Sequence, residues 1–263
     1  MFITSAEFAA DNGHSERFDD GAVRYWLVNH EICQATGGMV SVVDLPSRTS
    51  HVVETGTGES GSIVVSGGAV LDEAGSADGP MGHGHVVQNA AHGRYRLGTN
   101  ETAARLLTYH GGPTSWQTPT TEATSVGGRS VVRRFSYTDA DDNPFHMPDL
   151  GFLNMSARWL IDEANGASSG YTLGQSTFAP GDGSHELHRH PDAEEVFFVW
   201  EGEGVHLTPD GEFPMTAGQL VFVSRNEWHG FRNTGSTPLK AIFGFLGANS
   251  LDAGGYEVYH SNH

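Results

Sequence analysis

Four residues in the C-terminal half have the types and the spacing of a metal-ligand set. His188 and His190 are separated by one residue, Glu195 follows them, and His229 lies further along the chain. In an extended strand, residues i and i+2 point to the same face, so the two histidines can bind one ion while Arg189 points away. The carboxylate and the third imidazole complete a set that leaves two positions open on an octahedral ion.

This donor set predicts one divalent transition metal per chain but does not select the element. Imidazole and carboxylate suit Fe(II), Mn(II), Ni(II), Co(II), Cu(II) and Zn(II). We favour Fe(II), because a redox-capable ion with two open cis positions can bind an enol or hydroxyl oxygen and dioxygen side by side. Glu195 would supply negative charge and is the one residue with a catalytic assignment.

The segments around these residues resemble the two signature motifs of the cupin family. They read PGDGSHELHRHPDAEEVFFVWEGEG (180–204) and AGQLVFVSRNEWHGFRN (217–233). In the first motif, the spacings from His190 to Glu195 and from Glu195 to Gly202 fit the family pattern, and the leading glycine is offset by one residue.

The second motif departs from the family at a turn and not at a ligand. Three residues fall at family positions, namely Gly218, His229 and Asn233. Ser224 and Asn226 occupy the places of the family's proline and glycine.

The resemblance implies an all-β jelly-roll barrel and a metal-dependent activity. Cupins with three histidines and one glutamate include oxalate-degrading enzymes and dioxygenases of flavonols, enediols and diketones. The resemblance therefore predicts an oxygenase that acts on a small organic molecule. Two alternatives stay open: a non-oxidative cyclase, isomerase, hydrolase or decarboxylase that uses the ion as a Lewis acid, and a non-catalytic bicupin that binds a small molecule.

An internal duplication predicts two barrels. Residues of the first half recur in the second half at an offset of 134–137 residues, and the pairs are Pro46 and Pro180, His51 and His185, Gly67 and Gly202, and His92 and His229. A near-constant offset across unlike segments indicates two copies of one fold. We predict an N-terminal arm over 1–20, a degenerate N-terminal cupin domain over 21–113, a linker and crossover over 114–150, and a metal-binding C-terminal cupin domain over 151–263.

The N-terminal copy lacks most of the ligands. The alignment places Glu54, Gly56 and Ser60 where the C-terminal copy has two histidines and a glutamate. Whether a second ion binds to the remaining histidines stays open, and these are His51, His83, His85 and His92. We expect this half to serve in packing, in dimerisation or as a roof over the C-terminal site.

Strand alternation also predicts the wall of the C-terminal cavity. If Glu195 points inward, Phe197 and Val199 share its face, and Phe231 shares the face of His229. We expect these aromatic and aliphatic side chains, together with Gln175, to line an apolar substrate pocket. Glu194, Gln175 and His185 are candidates for orienting the ligands.

Two segments are predicted to cover this pocket. Residues 151–166 carry paired apolar residues at 152, 153, 159 and 160, which we interpret as a short helix over the barrel. Residues 250–259 form a terminal arm whose Tyr256 and Tyr259 could close the pocket or swap to a partner.

Charge and composition exclude several partners. The net charge is −18, from 32 acidic and 14 basic residues, and this acidity opposes binding to nucleic acid and to anionic membranes. No stretch approaches 18 apolar residues, the first residues lack the pattern of a signal peptide, and the single cysteine, Cys33, excludes an internal disulfide. We expect a cytoplasmic homodimer whose partners are a small-molecule substrate and dioxygen.

Overall fold

The computed structural model describes residues 1–72, 79–112, 131–166 and 168–260. Residues 114–130 of the predicted linker lie outside this part of the chain. The described residues are mostly β-strand, and their helices are short: α1 (Ala6–Asp11), α2 (His30–Cys33), α3 (Leu251–Gly254), and two 3₁₀ turns at Tyr137–Asp139 and Pro148–Leu150. No helix in these ranges is long and apolar enough to cross a membrane. The predicted all-β fold is confirmed.

The strands are numbered in chain order. The first twelve are β1 (Phe2–Ser5), β2 (Ser15–Arg17), β3 (Val23–Val28), β4 (Gly38–Leu45), β5 (Ser50–Glu54), β6 (Ser60–Gly67), β7 (Ala69–Asp72), β8 (Gly79–Met81), β9 (His85–Asn89), β10 (Arg94–Gly98), β11 (Ala104–Gly111) and β12 (Val131–Ser136). The others are β13 (Asn143–Met147), β14 (Phe152–Ile161), β15 (Leu173–Phe178), β16 (Ser184–Arg189), β17 (Glu194–Glu201), β18 (Glu203–Thr208), β19 (Gly211–Thr216), β20 (Gln219–Val223), β21 (His229–Asn233), β22 (Leu239–Leu246) and β23 (Glu257–Val258).

The chain forms two compact units. Residues 6–139 form the N-terminal unit, and residues 1–5 join residues 140–263 in the C-terminal unit. In the N-terminal unit, a seven-stranded sheet has the order β12-β9-β6-β11-β4-β3-β2 and a four-stranded sheet has the order β5-β10-β7-β8. Its apolar core is drawn from both sheets, as Val64 and Leu106 of the first and Val53 and Leu71 of the second belong to one cluster.

The C-terminal unit is built on one twelve-stranded sheet. Its main path has the order β1-β20-β17-β22-β15-β14-β16-β21-β18-β19, while β13 pairs with β14 and β23 pairs with β16. The core of this unit is rich in aromatic residues and includes Phe178, Phe197, Phe231 and Phe243.

Strand pairing repeats between the two units. In the N-terminal unit β6 pairs with β11, β11 with β4, and β4 with β3, whereas the C-terminal unit pairs β17 with β22, β22 with β15, and β15 with β14. The duplicated glycines lie at the ends of equivalent strands, Gly67 as the last residue of β6 and Gly202 directly after β17, with φ angles of 71° and 88°. A Cβ on Gly67 would lie 1.9 Å from the carbonyl oxygen of Ala103, so glycine is required there. The prediction of two barrels is confirmed.

The predicted helix over 151–166 is wrong, because residues 152–161 form strand β14. Met155 and Ala157 alternate on the buried face, as a strand requires. A register shift against β15 follows Trp159, and the next two residues, Leu160 and Ile161, are both buried. This irregularity allows two adjacent apolar residues to be buried in a strand, a pattern that regular alternation does not give and that was interpreted as helical spacing.

Candidate metal centre

The structure brings the four predicted ligands together. One ligand atom from each of His188, His190, Glu195 and His229 lies within 4.8 Å of the others, and all four residues are buried. Strand pairing explains this, since His188 near the end of β16 lies opposite His229 at the start of β21, and Glu195 points inward from β17.

Backbone carbonyls orient the three imidazoles in the same way. His188 donates through Nδ1 to the carbonyl of Glu186 at 2.7 Å, His190 to that of Gly255 at 2.6 Å, and His229 to that of Glu227 at 2.8 Å. A carbonyl can only accept, so each Nδ1 carries the hydrogen. Each Nε2 is therefore turned toward Glu195, the orientation that a histidine ligand needs.

These donor atoms fit a metal ion. Nε2 of His188 lies 3.8 Å from Oε2 of Glu195, that of His190 lies 3.4 Å away, and that of His229 lies 2.6 Å away. Nε2 of His188 and Nε2 of His190 are buried without a hydrogen-bond partner. Lone pairs that face a buried carboxylate require a shared cation, so the cluster could hold a divalent metal.

The ionisation of Glu195 and His188 suits the same role. Burial alone would raise the pKa of Glu195, but the close approach of His188, His190 and His229 to its carboxylate outweighs burial and holds this pKa well below its ordinary value. Burial lowers the pKa of His188 to about 4. A deprotonated carboxylate and a neutral imidazole are the forms that coordinate metal ions.

The C-terminal segment fixes part of the centre. Strand β23 pairs with β16, and the carbonyl of Gly255, just before it, accepts the hydrogen bond from His190. On the outer face, Arg189 forms an ion pair with Glu257 and covers the ring of Trp228 at 4.5 Å. Arg189 therefore points away from the ligands, as strand alternation predicts.

A cavity of about 600 Å³ opens onto the centre. His190, Glu195 and His185 lie at its polar end, and most of its wall is apolar: Phe145, Met147, Leu150, Phe152, Met155, Ala157, Trp159, Phe197, Phe243, Phe245 and Leu251, with Tyr256. Among the described residues, its lining contains neither arginine nor lysine. The site therefore favours an apolar molecule over a small dianion.

The four residues predicted for the pocket have different positions. Phe197 lines the large cavity, and Phe231 lines a void of about 10 Å³ beside the ligands. Val199 packs in the core. The amide of Gln175 donates to the carbonyl of Ser176 and to Thr177 Oγ1, and it is Ser176 that lines the large cavity. Gln175, which was predicted to line the pocket, is not among the described residues that line this cavity.

The N-terminal histidines do not form a second cluster within the described residues, which include all four of them. His51 pairs with Asp20 at 2.9 Å, His83 lies in a turn, His85 donates to the carbonyl of Gly82, and His92 lies in a turn with φ of 56°. In place of ligands this barrel has an uncharged network, in which the amide of Asn89 donates to Ser60 and Tyr95.

Asn226 shows how the second motif tolerates its departure from the family. It has a φ of 64°, in the left-handed region that the family's glycine occupies without strain and that asparagine accepts more readily than most residues. Its backbone N–H donates to the carbonyl of His190 at 2.8 Å. The altered turn therefore still supports a ligand.

Replacing Glu195 with glutamine should weaken metal binding without unfolding the barrel. The amide keeps the size and an oxygen donor but removes the negative charge that helps to hold a dication. We expect the affinity for the metal to fall by about tenfold or more, and a tenfold loss corresponds to about 1.4 kcal/mol. Metal titration measures the affinity and circular dichroism the fold; an unchanged affinity would show that Glu195 is not a ligand.

Comparison with known proteins agrees with this architecture. Residues 174–245 match a family model described as a cupin domain. A segment of 56 residues, 21% of this chain, is 34% identical to an oxalate-binding protein of Thermotoga maritima and covers 46% of that protein. A segment of 89 residues, 34% of this chain, is 32% identical to the tetracenomycin polyketide synthase protein TcmJ of Streptomyces glaucescens and covers 58% of it. The chain thus spans about half the length of these curated relatives.

The fold extends beyond the matched domain. A crystal structure of Lactobacillus farciminis oxalate decarboxylase in complex with formate superposes with a TM-score of 0.70 at 15% identity, covering 98% of this chain and 88% of that chain. At this identity the similarity concerns the fold alone. Residues 174–245 thus match a cupin domain, and the two-barrel fold of the chain is similar to that of an oxalate decarboxylase.

Proposed function

We propose that the C-terminal barrel is the active site of a metal-dependent enzyme that acts on a flat, mostly apolar molecule with an enol or phenol oxygen. The observation that carries the proposal is the cavity of about 600 Å³ with aromatic walls that ends at the buried cluster of three histidines and a glutamate. Its size suits a molecule of two or more rings.

The walls argue against oxalate as the substrate. A dianion in a buried site needs cationic partners in addition to the metal ion, and the described lining offers no arginine or lysine. Arg158, on β14 next to the lining residue Ala157, instead pairs with Asp142 and donates to the carbonyl of Ala140. The polyketide synthase relative, TcmJ, supports a larger and flatter substrate class.

The residues of this chain would bind the substrate, orient it and exclude water from the cavity. When bound, a divalent ion would polarise an enolate or phenolate oxygen and, if redox-active, could pass electrons to dioxygen. The Nε2 atoms of the three histidines and the carboxylate of Glu195 would hold it. Phe197, Phe243 and Trp159 would exclude water and align a flat ring with the polar end of the cavity.

The reaction that we propose is dioxygen-dependent oxidation with one Fe(II) ion per chain. The neutral nitrogen donors, the single carboxylate and the two open positions of this ligand set support it. Manganese, nickel, copper, cobalt and zinc are the alternative ions.

The names of the similar proteins favour a second candidate, non-oxidative metal-dependent cyclisation or decarboxylation. Both reactions use the same ligands, so metal identity and oxygen uptake separate them. A non-catalytic bicupin that binds a small molecule is the remaining alternative.

One experiment distinguishes these functions. The protein is purified without added metal or chelator, its metals are quantified, and oxygen uptake is measured with 2,3-dihydroxynaphthalene and related flat phenols. We expect about one redox-active ion per chain and uptake that a chelator stops. Product formation without oxygen uptake would contradict the oxygenase and favour the second candidate, and a protein that contains no metal would contradict both.

The expected homodimer and cytoplasmic location stay predictions. A homodimer would behave as a particle of twice the chain mass of 28.2 kDa. Light scattering after size-exclusion chromatography tests the assembly, and cell fractionation tests the location.

A further inference from the structure

His185 lies beside the metal centre without belonging to it. Its ring stacks on His188 with centroids 3.7 Å apart and on Phe152 with centroids 4.3 Å apart. The register shift in the pairing of β16 with β21 lies between His185 and His188, and it places both residues at the cavities of the site. His185 is not among the four clustered ligands.

Tyr256 determines which nitrogen of His185 carries the hydrogen. The Tyr256 hydroxyl lies 2.6 Å from the carbonyl oxygen of Leu150 and 2.9 Å from Nε2 of His185. The carbonyl can only accept, so the single hydroxyl hydrogen is donated to it. The contact with His185 is then a hydrogen bond only if Nε2–H donates to the tyrosine oxygen.

The other nitrogen of His185 is left as an acceptor. The ring of His185 is stacked between Phe152 and His188, and no carboxylate of the described chain is hydrogen-bonded to it, so the neutral form is favoured. With hydrogen on Nε2, the lone pair is on Nδ1. Within the described chain, Nδ1 of His185 has no hydrogen-bond partner and is not fully enclosed by protein atoms. Because His185 lines the large cavity, this nitrogen remains accessible to a ligand.

We propose that Nδ1 of His185 accepts a hydrogen bond from a second hydroxyl of the substrate, next to the oxygen that the metal would hold, and that Tyr256 is the positioning residue that fixes this tautomer. The inference rests on the proposed function and narrows its substrate class to molecules with two neighbouring hydroxyl groups. The contact is a hydrogen bond and transfers no proton. Neutral hydrogen bonds of this kind change affinity by about tenfold.

The first test determines the tautomer of His185 in the absence of metal and substrate. Nitrogen-15 NMR of histidine-labelled, metal-free protein distinguishes a protonated from a bare imidazole nitrogen, and His185→Phe assigns the signal. We expect hydrogen on Nε2 in the wild type and a mixture of tautomers in Tyr256→Phe. Tyr259→Phe is the matched control, because Tyr259 packs on Trp228. Hydrogen on Nδ1 in the wild type would overturn the proposal.

The second test measures whether His185 recognises the second hydroxyl group of the ligand. Zinc-loaded protein is titrated with 2,3-dihydroxynaphthalene and with 3-methoxy-2-naphthol, which keeps the second oxygen but cannot donate from it. We expect the wild type and Tyr259→Phe to prefer the dihydroxy compound by about tenfold. His185→Phe, which keeps a flat ring for stacking, should lose this preference at an unchanged zinc content, and Tyr256→Phe should weaken it.

The outcomes separate this inference from the proposed function. If the preference persists in His185→Phe, the role of His185 is wrong while the proposed substrate class stands. If neither naphthol binds to zinc-loaded wild type, the proposed function fails, and the substrate contact of His185 fails with it. If His185→Phe loses its zinc, the Tyr256→Phe variant provides the test instead. An unchanged preference of Tyr256→Phe for the dihydroxy compound would overturn the proposal.

Discussion

We expect the His190→Ala variant to lose more than about 100-fold in metal affinity and to keep its fold. Loss of groups that only support a ligand already costs about 10–100-fold in metal affinity, and His190 supplies a donor itself. Its Nε2 is buried without a hydrogen-bond partner, 3.4 Å from the Glu195 carboxylate. Metal titration followed by elemental analysis measures the loss, and circular dichroism confirms the fold.

Arg189→Ala is the matched control for this result. Arg189 is the immediate neighbour of His190, but it points to the outer face and pairs with Glu257. Half-exposed ion pairs of this kind contribute little to stability, so the variant should keep its metal. If Arg189→Ala emptied the site while His190→Ala kept its ion, the strand register and the whole ligand assignment would be wrong.

Residues in regular strands could be placed from the sequence. The alternation of β17 puts Glu195, Phe197 and Val199 on one face, and Glu195 and Phe197 reach the site as expected. The same rule separates Arg189 from its neighbours. Strand alternation is a reliable guide here because burial of one face fixes the register of a strand.

Residues next to irregular backbone could not be placed in this way. Simple alternation puts His185 and His188 on opposite faces, whereas the register shift between them brings both to the site. A similar irregularity in β14 led to the wrong prediction of a helix. Bulges depend on pairing with a distant strand, and a single sequence carries no local signal for them.

The contribution of the C-terminal segment was only partly predictable. An arm that ends in tyrosines suggested closure of the pocket, and Tyr256 does line it. The hydrogen bond from His190 to the carbonyl of Gly255 was missed, because a backbone carbonyl has no side-chain signature. The same holds for the carbonyls of Glu186 and Glu227 that orient the other two imidazoles.

Ala157→Trp should abolish binding of 2,3-dihydroxynaphthalene while the metal stays bound. Ala157 is buried and faces the large cavity from β14, beside Trp159. An indole there would occupy the volume that a flat substrate needs, without touching a ligand. We expect a loss of more than about 100-fold in zinc-dependent naphthol binding, since most of a ligand's surface is buried in such a pocket. Fluorescence titration measures binding, and elemental analysis measures zinc.

Ser156→Trp separates blocking of the pocket from damage to the strand. Ser156 is adjacent on β14, and its half-buried side chain points to the other face. This variant should bind the naphthol as the wild type does. Because an indole that enters an existing cavity displaces little protein, Ala157→Trp should also unfold at nearly the wild-type temperature. Unchanged naphthol binding in Ala157→Trp would show that substrate reaches the metal by another route, and the aromatic cavity would lose its role in recognition.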